Sequence, residues 1–225
     1  MTSEDHEATY SIRRIPGEIE LGGDPGREPW SWLAPAMIDR FPWYVLGEKQ
    51  ATTVKACYTE RCLYLQFECE DRHISASRTE LNGGVCQDSC AEFFATVPED
   101  PESYFNLEVN CCGTLHLGHG KGRQERRLIG PELAARITLA HSVPGPTKEE
   151  SPADDGWVLE VGLPFDVLGE FIGRAVSVGP GTKWRGNFYR CGGATDPQHS
   201  CWSPVGTPSP DFHRPEYFGR LEFTA

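Results

Sequence analysis

The chain has 225 residues and sets 21 Lys and Arg against 33 Asp and Glu, a net charge of −12. That balance argues against a nucleic-acid partner, because phosphate binders carry a basic patch and the densest basic group here, Arg123, Arg126 and Arg127, encloses Glu125. A hydrophobic content of 38% with six Trp, seven Tyr and eleven Phe excludes disorder, and no run reaches the roughly 18 apolar residues of a membrane helix, so a membrane partner is not expected.

From the N-terminus, residues 1–34 read as an extension that wraps the surface or frays, being rich in Gly, Pro and Glu. Its acidic start, Met1 to Glu7, lacks the basic and apolar regions of a secretory leader. A cytoplasmic protein is therefore expected, with secretion after loss of a leader as the alternative. Residues 35–225 read as one domain. Strand signals follow at Thr53–Tyr58, Cys62–Cys69, Ala91–Val97, Tyr104–Asn110, Thr114–Gly118, Ala135–Ser142, Gly156–Leu163, Lys183–Cys191 and Gly219–Phe223. Each is short, rich in Val, Phe, Tyr or Leu, and bounded by Gly, Pro, Asn or Asp. Helical turns are expected only at Pro164–Gly169 and Pro131–Ala135. The fold class is all-β, a β-sandwich with one or two short helical turns.

Alternation assigns a face to each side chain. In Tyr104–Asn110, Phe105, Leu107 and Val109 oppose Tyr104, Asn106, Glu108 and Asn110; in the second strand Leu63, Leu65 and Phe67 oppose Tyr64, Gln66 and Glu68. Glu92 interrupts an apolar run, and Glu160 and Glu222 also fall opposite the apolar side. Carboxylates mixed with Tyr, Asn, Gln and Arg on one sheet face suit a polyhydroxylated ligand.

Other chemistries find less support. Paired carboxylates serve glycosidases, but so many are present that some pair meets the distance by chance. Cys111, Cys112, His116 and His119 crowd together, yet adjacent cysteines on a strand point to opposite faces and bind one ion poorly. No EF-hand-like loop is present, although structural calcium remains open as a cofactor because carboxylates abound. There is no Gly-x-Ser-x-Gly elbow and no phosphate loop. Several of the nine cysteines lie in apolar runs and read as reduced core thiols.

An ordered series of motifs then carries a resemblance. It runs through Thr59–Leu65, Glu70-Asp71, Gln87-Asp88-Ser89-Cys90-Ala91-Glu92-Phe93-Phe94 and Tyr104–Asn110. It continues through Gly156–Glu160 with Leu163-Pro164-Phe165, then Trp184–Arg190, Cys201-Trp202-Ser203-Pro204 and Phe212–Gly219. Over residues 35–225 this resembles a family 9 carbohydrate-binding module, in the family-9-like branch of the DOMON-type β-sandwiches. The resemblance implies a jelly-roll-like sandwich that binds the end of a glycan without catalysis, clamping a sugar between two Trp with hydrogen bonds from Glu, Arg and Gln. Carried over by motif, the Glu falls on Glu92, the Arg position holds Glu108, the Gln position falls near Asn187, and one Trp falls on Phe212 beside His213. The other Trp position falls at Val85-Cys86, with no aromatic, and Trp43, Trp184 and Trp202 are either substitutes or core. Arg78 or Arg190 would supply a guanidinium partner for Glu92. The expected function is thus non-catalytic carbohydrate binding through Arg78, Glu92, Glu108, Asn187, Arg190, Phe212 and His213. The alternatives are a metal- or redox-responsive protein using its Cys and His, or an enzyme acting on sugars through the acidic face.

Overall fold

The computed structural model describes residues 8–147, 149–193 and 195–225. The strands in chain order are β1 (Thr9–Arg14), β2 (Ala36–Met37), β3 (Thr52–Tyr58), β4 (Cys62–Glu70), β5 (Cys90–Val97), β6 (Asp100–Asn110) and β7 (Leu115–Gly120). They continue with β8 (Arg127–Leu128), β9 (Thr138–His141), β10 (Gly156–Pro164), β11 (Lys183–Cys191), β12 (His199–Cys201) and β13 (Gly219–Thr224). Two helices interrupt them, α1 (Pro131–Ala134) and α2 (Phe165–Ile172). Gly173, left-handed at φ 76°, stops α2.

All these strands join one curled sheet in the order β8-β7-β6-β5-β11-β13-β1-β3-β4-β10-β9, with β2 and β12 attached to β3 and β11. Curling brings its two halves face to face as a sandwich. Phe93, Phe105, Leu107 and Phe188 from one half meet Leu63, Leu65, Phe67, Trp157 and Leu159 from the other in the main core. The alternation explains this packing, since every one of these residues sits at the apolar phase of its strand.

Two expectations change. Thr9–Arg14, placed by the sequence in a surface extension, is instead an inner strand. It runs parallel to β13 over five residue pairs and touches β3 at Arg13↔Cys57 and Arg14↔Tyr58. Its Ile12 is fully buried in the main core. Nor do the strand carboxylates share one polar face. Glu160 and Gln66 lie on the outer side of β10 and β4, where residues 15–34 cover them: Gln66 Nε2 donates to Glu160 Oε1 at 2.8 Å and the Gly22 N–H to Oε2 at 2.8 Å. Ile15, Trp30 and Leu33 pack there on Cys57, Cys62 and Tyr64. Glu92 and Glu108 lie on the opposite half of the sandwich.

The nine cysteines are free thiols. Cys111 is buried in the core, Cys112 donates to Asn110 at 3.3 Å, His116 lies against the Asn82 carbonyl, and His119 contacts Asp100. That cluster does not converge, and among the described residues no three His, Cys, Asp or Glu side chains could hold a metal ion.

Because β1 closes the sheet, a chain beginning at residue 35 is expected to stay unfolded by circular dichroism. Ile12→Ala should cost about 2–5 kcal/mol in urea denaturation, the usual range for emptying a buried aliphatic site.

Candidate functional site

In β5, Ala91, Phe93 and Ala95 face the main core, so Glu92 and Phe94 point to the outer side of the sheet. Residues 202–218 and the 41–47 loop fold over that side. They build a second apolar cluster from Phe94, Tyr104, Tyr189, Val205, Phe212 and Phe218, with Trp43 packed on it. At its edge lies a cavity of about 130 Å³, lined by Cys86, Glu92, Phe94, Glu108, Arg123, Cys191, His199, Pro210, Asp211, Phe212 and His213.

Glu92 and Glu108 stand directly opposite each other on β5 and β6, so their Cβ atoms are about 4.5–5.5 Å apart. They are 2% and 6% exposed. Burial first, and the facing Glu108 charge second, push the Glu92 carboxyl well above its ordinary 4.5. Burial likewise raises Glu108, opposed chiefly by His116 and the Asn106 hydrogen bond. Two such carboxyls behave as a pair that resists losing its second proton.

Each has a single side-chain hydrogen-bond partner among the described residues. The Cys191 thiol donates to Glu92 Oε1 at 3.0 Å, and Asn106 Nδ2 donates to Glu108 Oε1 at 2.7 Å. Asn106 is in turn fixed by Arg126, whose Nε donates to its Oδ1 at 2.8 Å. The same guanidinium lies over the Tyr104 ring and donates to the carbonyls of Tyr104, Gly118, Gly120 and Gly122. Gly118 is required beside it, since a Cβ there would meet Asn106 Oδ1 at 2.6 Å.

Of the residues singled out from sequence, Glu92, Glu108, Phe212 and His213 come together here. Phe212 contributes an edge only. One face stacks on Tyr189 with centroids 4.1 Å apart, and Trp43 leans on it at 5.6 Å. His213 places Nδ1 2.8 Å from the Tyr104 hydroxyl. Burial, helped by Arg126 and Arg123, lowers it to about 4, so it is neutral at pH 7.

Three residues are elsewhere. Arg190 follows Phe188 in phase and so points inward, where Nη2 donates to Asp71 at 2.5 Å and the guanidinium stacks on Trp157. Asp71 also accepts from Ser89 and Trp157. Asn187 is fully buried as a brace, its Oδ1 accepting the Ser203 N–H and its Nδ2 donating to the Ser203 carbonyl. Arg78 is exposed and donates to Gln87, while its backbone N–H donates to Asp88. Trp184 and Trp202 belong to the main core. Val85, buried in the second cluster, and the exposed Cys86 stand where the second aromatic is expected. Cys191, His199, Arg123 and Asp211 escape sequence reasoning, because only the pairing of distant strands and the folding back of distant loops bring them to Glu92.

A sandwich that carries a small polar cavity on the outer face of one sheet half is a ligand-binding β-sandwich module. The chain belongs to carbohydrate-binding family 9, whose sequence profile matches residues 31–223. A candidate carbohydrate-binding protein from Bacteroides uniformis ATCC 8492 superimposes with a TM-score of 0.86 at 26% identity, over 97% of this chain and 100% of its own. A family 9 module from Caldicellulosiruptor kristjanssonii in complex with cellotriose aligns at 12% identity with a TM-score of 0.64, over 97% of this chain and 94% of its own. The same organism's module with glucose gives 0.65 at 12% identity, over 97% and 96%; at that identity both speak for the fold. Comparison with curated proteins gives no match.

Because the folded chain holds the Glu92 proton above 4.5 while the unfolded chain releases it there, this contribution is complete below that pH. It is lost as pH rises through the folded value. Glu92→Gln, which keeps the acceptor for Cys191, should therefore raise the melting temperature at pH 8 by about 2–4 °C per kcal/mol recovered, with the gain fading towards pH 4. Asp71→Asn should act in the other direction, because it strands a buried guanidinium; a loss of about 3–5 kcal/mol in denaturant titration is expected.

Proposed function

We propose that this protein binds carbohydrate without cleaving it, holding a terminal sugar with one edge in the Glu92–Glu108 cavity. What supports this most directly is the position of that cavity: it lies at the strand residues where the family 9 resemblance puts the sugar-binding carboxylate. Its acceptors and donors, Glu92, Glu108, His213 and Arg123, suit hydroxyl groups. Its small volume suits a chain end and not a chain lying along a groove. A glycosidase sets an acid and a nucleophile or base on two sides of the scissile bond, whereas these carboxyls stand side by side on one wall.

Beyond the cavity, a second hollow of about 250 Å³ shares His199 with it and is lined by Trp43, Tyr44, Leu46 and Pro197 among others. Tyr44 and Leu46 are exposed there, and Lys49 Nζ lies 4.5 Å from the Tyr44 ring centroid. This apolar ledge supplies a stacking surface for the next sugar unit, in place of the aromatic that Cys86 does not provide.

Calorimetric titration with mono-, di- and trisaccharides tests the reading. Longer sugars should bind tighter than single rings, and Tyr44→Ala should cost the trisaccharide about tenfold, near 1.4 kcal/mol, while leaving the monosaccharide unchanged. Silence across a broad saccharide panel would overturn carbohydrate binding. Release of product from glycosides, abolished by Glu92→Gln, would overturn the non-catalytic assignment.

A further inference from the structure

We propose that the sugar held by this site is an amino sugar, its ring ammonium seated between Glu92 and Glu108; the proposal rests on the carbohydrate reading above. The two carboxyls face each other across β5 and β6 and both line the cavity. Glu92 Oε1 accepts from Cys191 and Glu108 Oε1 from Asn106, while neither Oε2 has a hydrogen-bond partner among the described residues. Open to the cavity, these two oxygens are where a donor from a ligand can meet the pair.

The donor that fits is cationic. A sugar hydroxyl brings one proton and serves one of the two oxygens, whereas an ammonium brings three donors, and its charge beside the pair favours release of the proton that burial and mutual repulsion otherwise hold there. The local charge agrees. Glu92, Glu108 and Asp211 line the cavity against one arginine, and Arg123 is largely exposed and turned towards Asp211, with Nη1 3.5 Å from its Oδ1. Arg126, the other nearby guanidinium, is committed to backbone carbonyls and Asn106. His213 adds no positive charge at pH 7. With Phe212 covered on one face by Tyr189, little aromatic surface remains for stacking a neutral ring here. Affinity in the cavity must come from hydrogen bonds, and an ammonium adds its own positive charge to those it gives the carboxyls.

The intact protein is titrated at pH 7 with glucosamine, glucose, N-acetylglucosamine and ethanolamine, and with the deacetylated and N-acetylated forms of the β-1,4-linked glucosamine disaccharide. The free amines of the sugar series should bind at least tenfold tighter than glucose and the N-acetylated sugars, and at least tenfold tighter than ethanolamine, with the preference shrinking as salt is raised. Glu92→Gln and Glu108→Gln should each reduce that preference to within about threefold, with unchanged circular dichroism. Glu108→Arg should reverse it in favour of glucose. Equal binding of glucose or N-acetylglucosamine by the unaltered protein would overturn the amino-sugar assignment and leave carbohydrate binding standing. Equal binding of ethanolamine would make this a simple cation site and overturn it as well. No binding of any of these sugars, or of the wider panel, would overturn both readings.

Discussion

The Asp71–Arg190 pair joins the two halves of the sandwich at the ends of their strands, and the register of the ligand-bearing half depends on it. Asp71 follows β4 in one half and Arg190 belongs to β11 in the other, and both side chains are almost completely shielded from water. Desolvating two charges is costly; hydrogen bonds from Ser89 and Trp157 to Asp71 and the stacked Trp157 ring offset part of the cost, while Arg190 Nε and Nη1 have no hydrogen-bond partner among the described residues. The pair also fixes phase. With Arg190 turned inward, Tyr189 and Cys191 must turn outward, and a slip of one residue would bury the wrong set. Glu92 is opposite Tyr189 in the ladder and takes its hydrogen bond from Cys191. The cavity therefore inherits its geometry from an ion pair on the other side of the sheet.

That dependence explains which parts of the molecule were legible in the sequence. The strands with strong alternation, such as Tyr104–Asn110 and Gly156–Leu163, are read correctly because burial on one side leaves a period of two. Alternation says which side a residue takes, but not whether a loop later covers it. Glu108 and Glu160 read only as facing away from the core for this reason, and both are buried under segments distant in sequence. Arg190 was legible and misread: Phe188 two residues earlier is a core residue, and the same phase carries Arg190 inward. Thr9–Arg14 gave no signal, being short, bearing two arginines and finding its main partner at the far end of the chain. Arg126 was hidden for a related reason, since its role follows from a turn that lays it over Tyr104.

The site and the scaffold make opposite demands. A buried pair of carboxyls lowers stability at neutral pH, and the thiol of Cys191 is a weak donor to set against that. Asn106, held by Arg126, compensates more firmly on the Glu108 side. Around them the stack of Trp43, Phe212 and Tyr189 is used for packing. Aromatic surface that would hold a sugar face is thereby spent on holding the loops, and the polar groups are left to discriminate between ligands.

The parallel pairing of β1 with β13 sets an order of events during synthesis. Thr9 leaves the ribosome long before Arg220, the residue it pairs with. At about 5–20 residues per second the interval is roughly 10–40 s. Over that time β1 has only its two-residue contact with β3 to hold it, and Ile12 has no closed core to enter. The sheet is complete only when the last strand arrives, so the nascent chain carries an unpaired strand edge for most of its translation, which is the condition in which β-proteins need protection from one another.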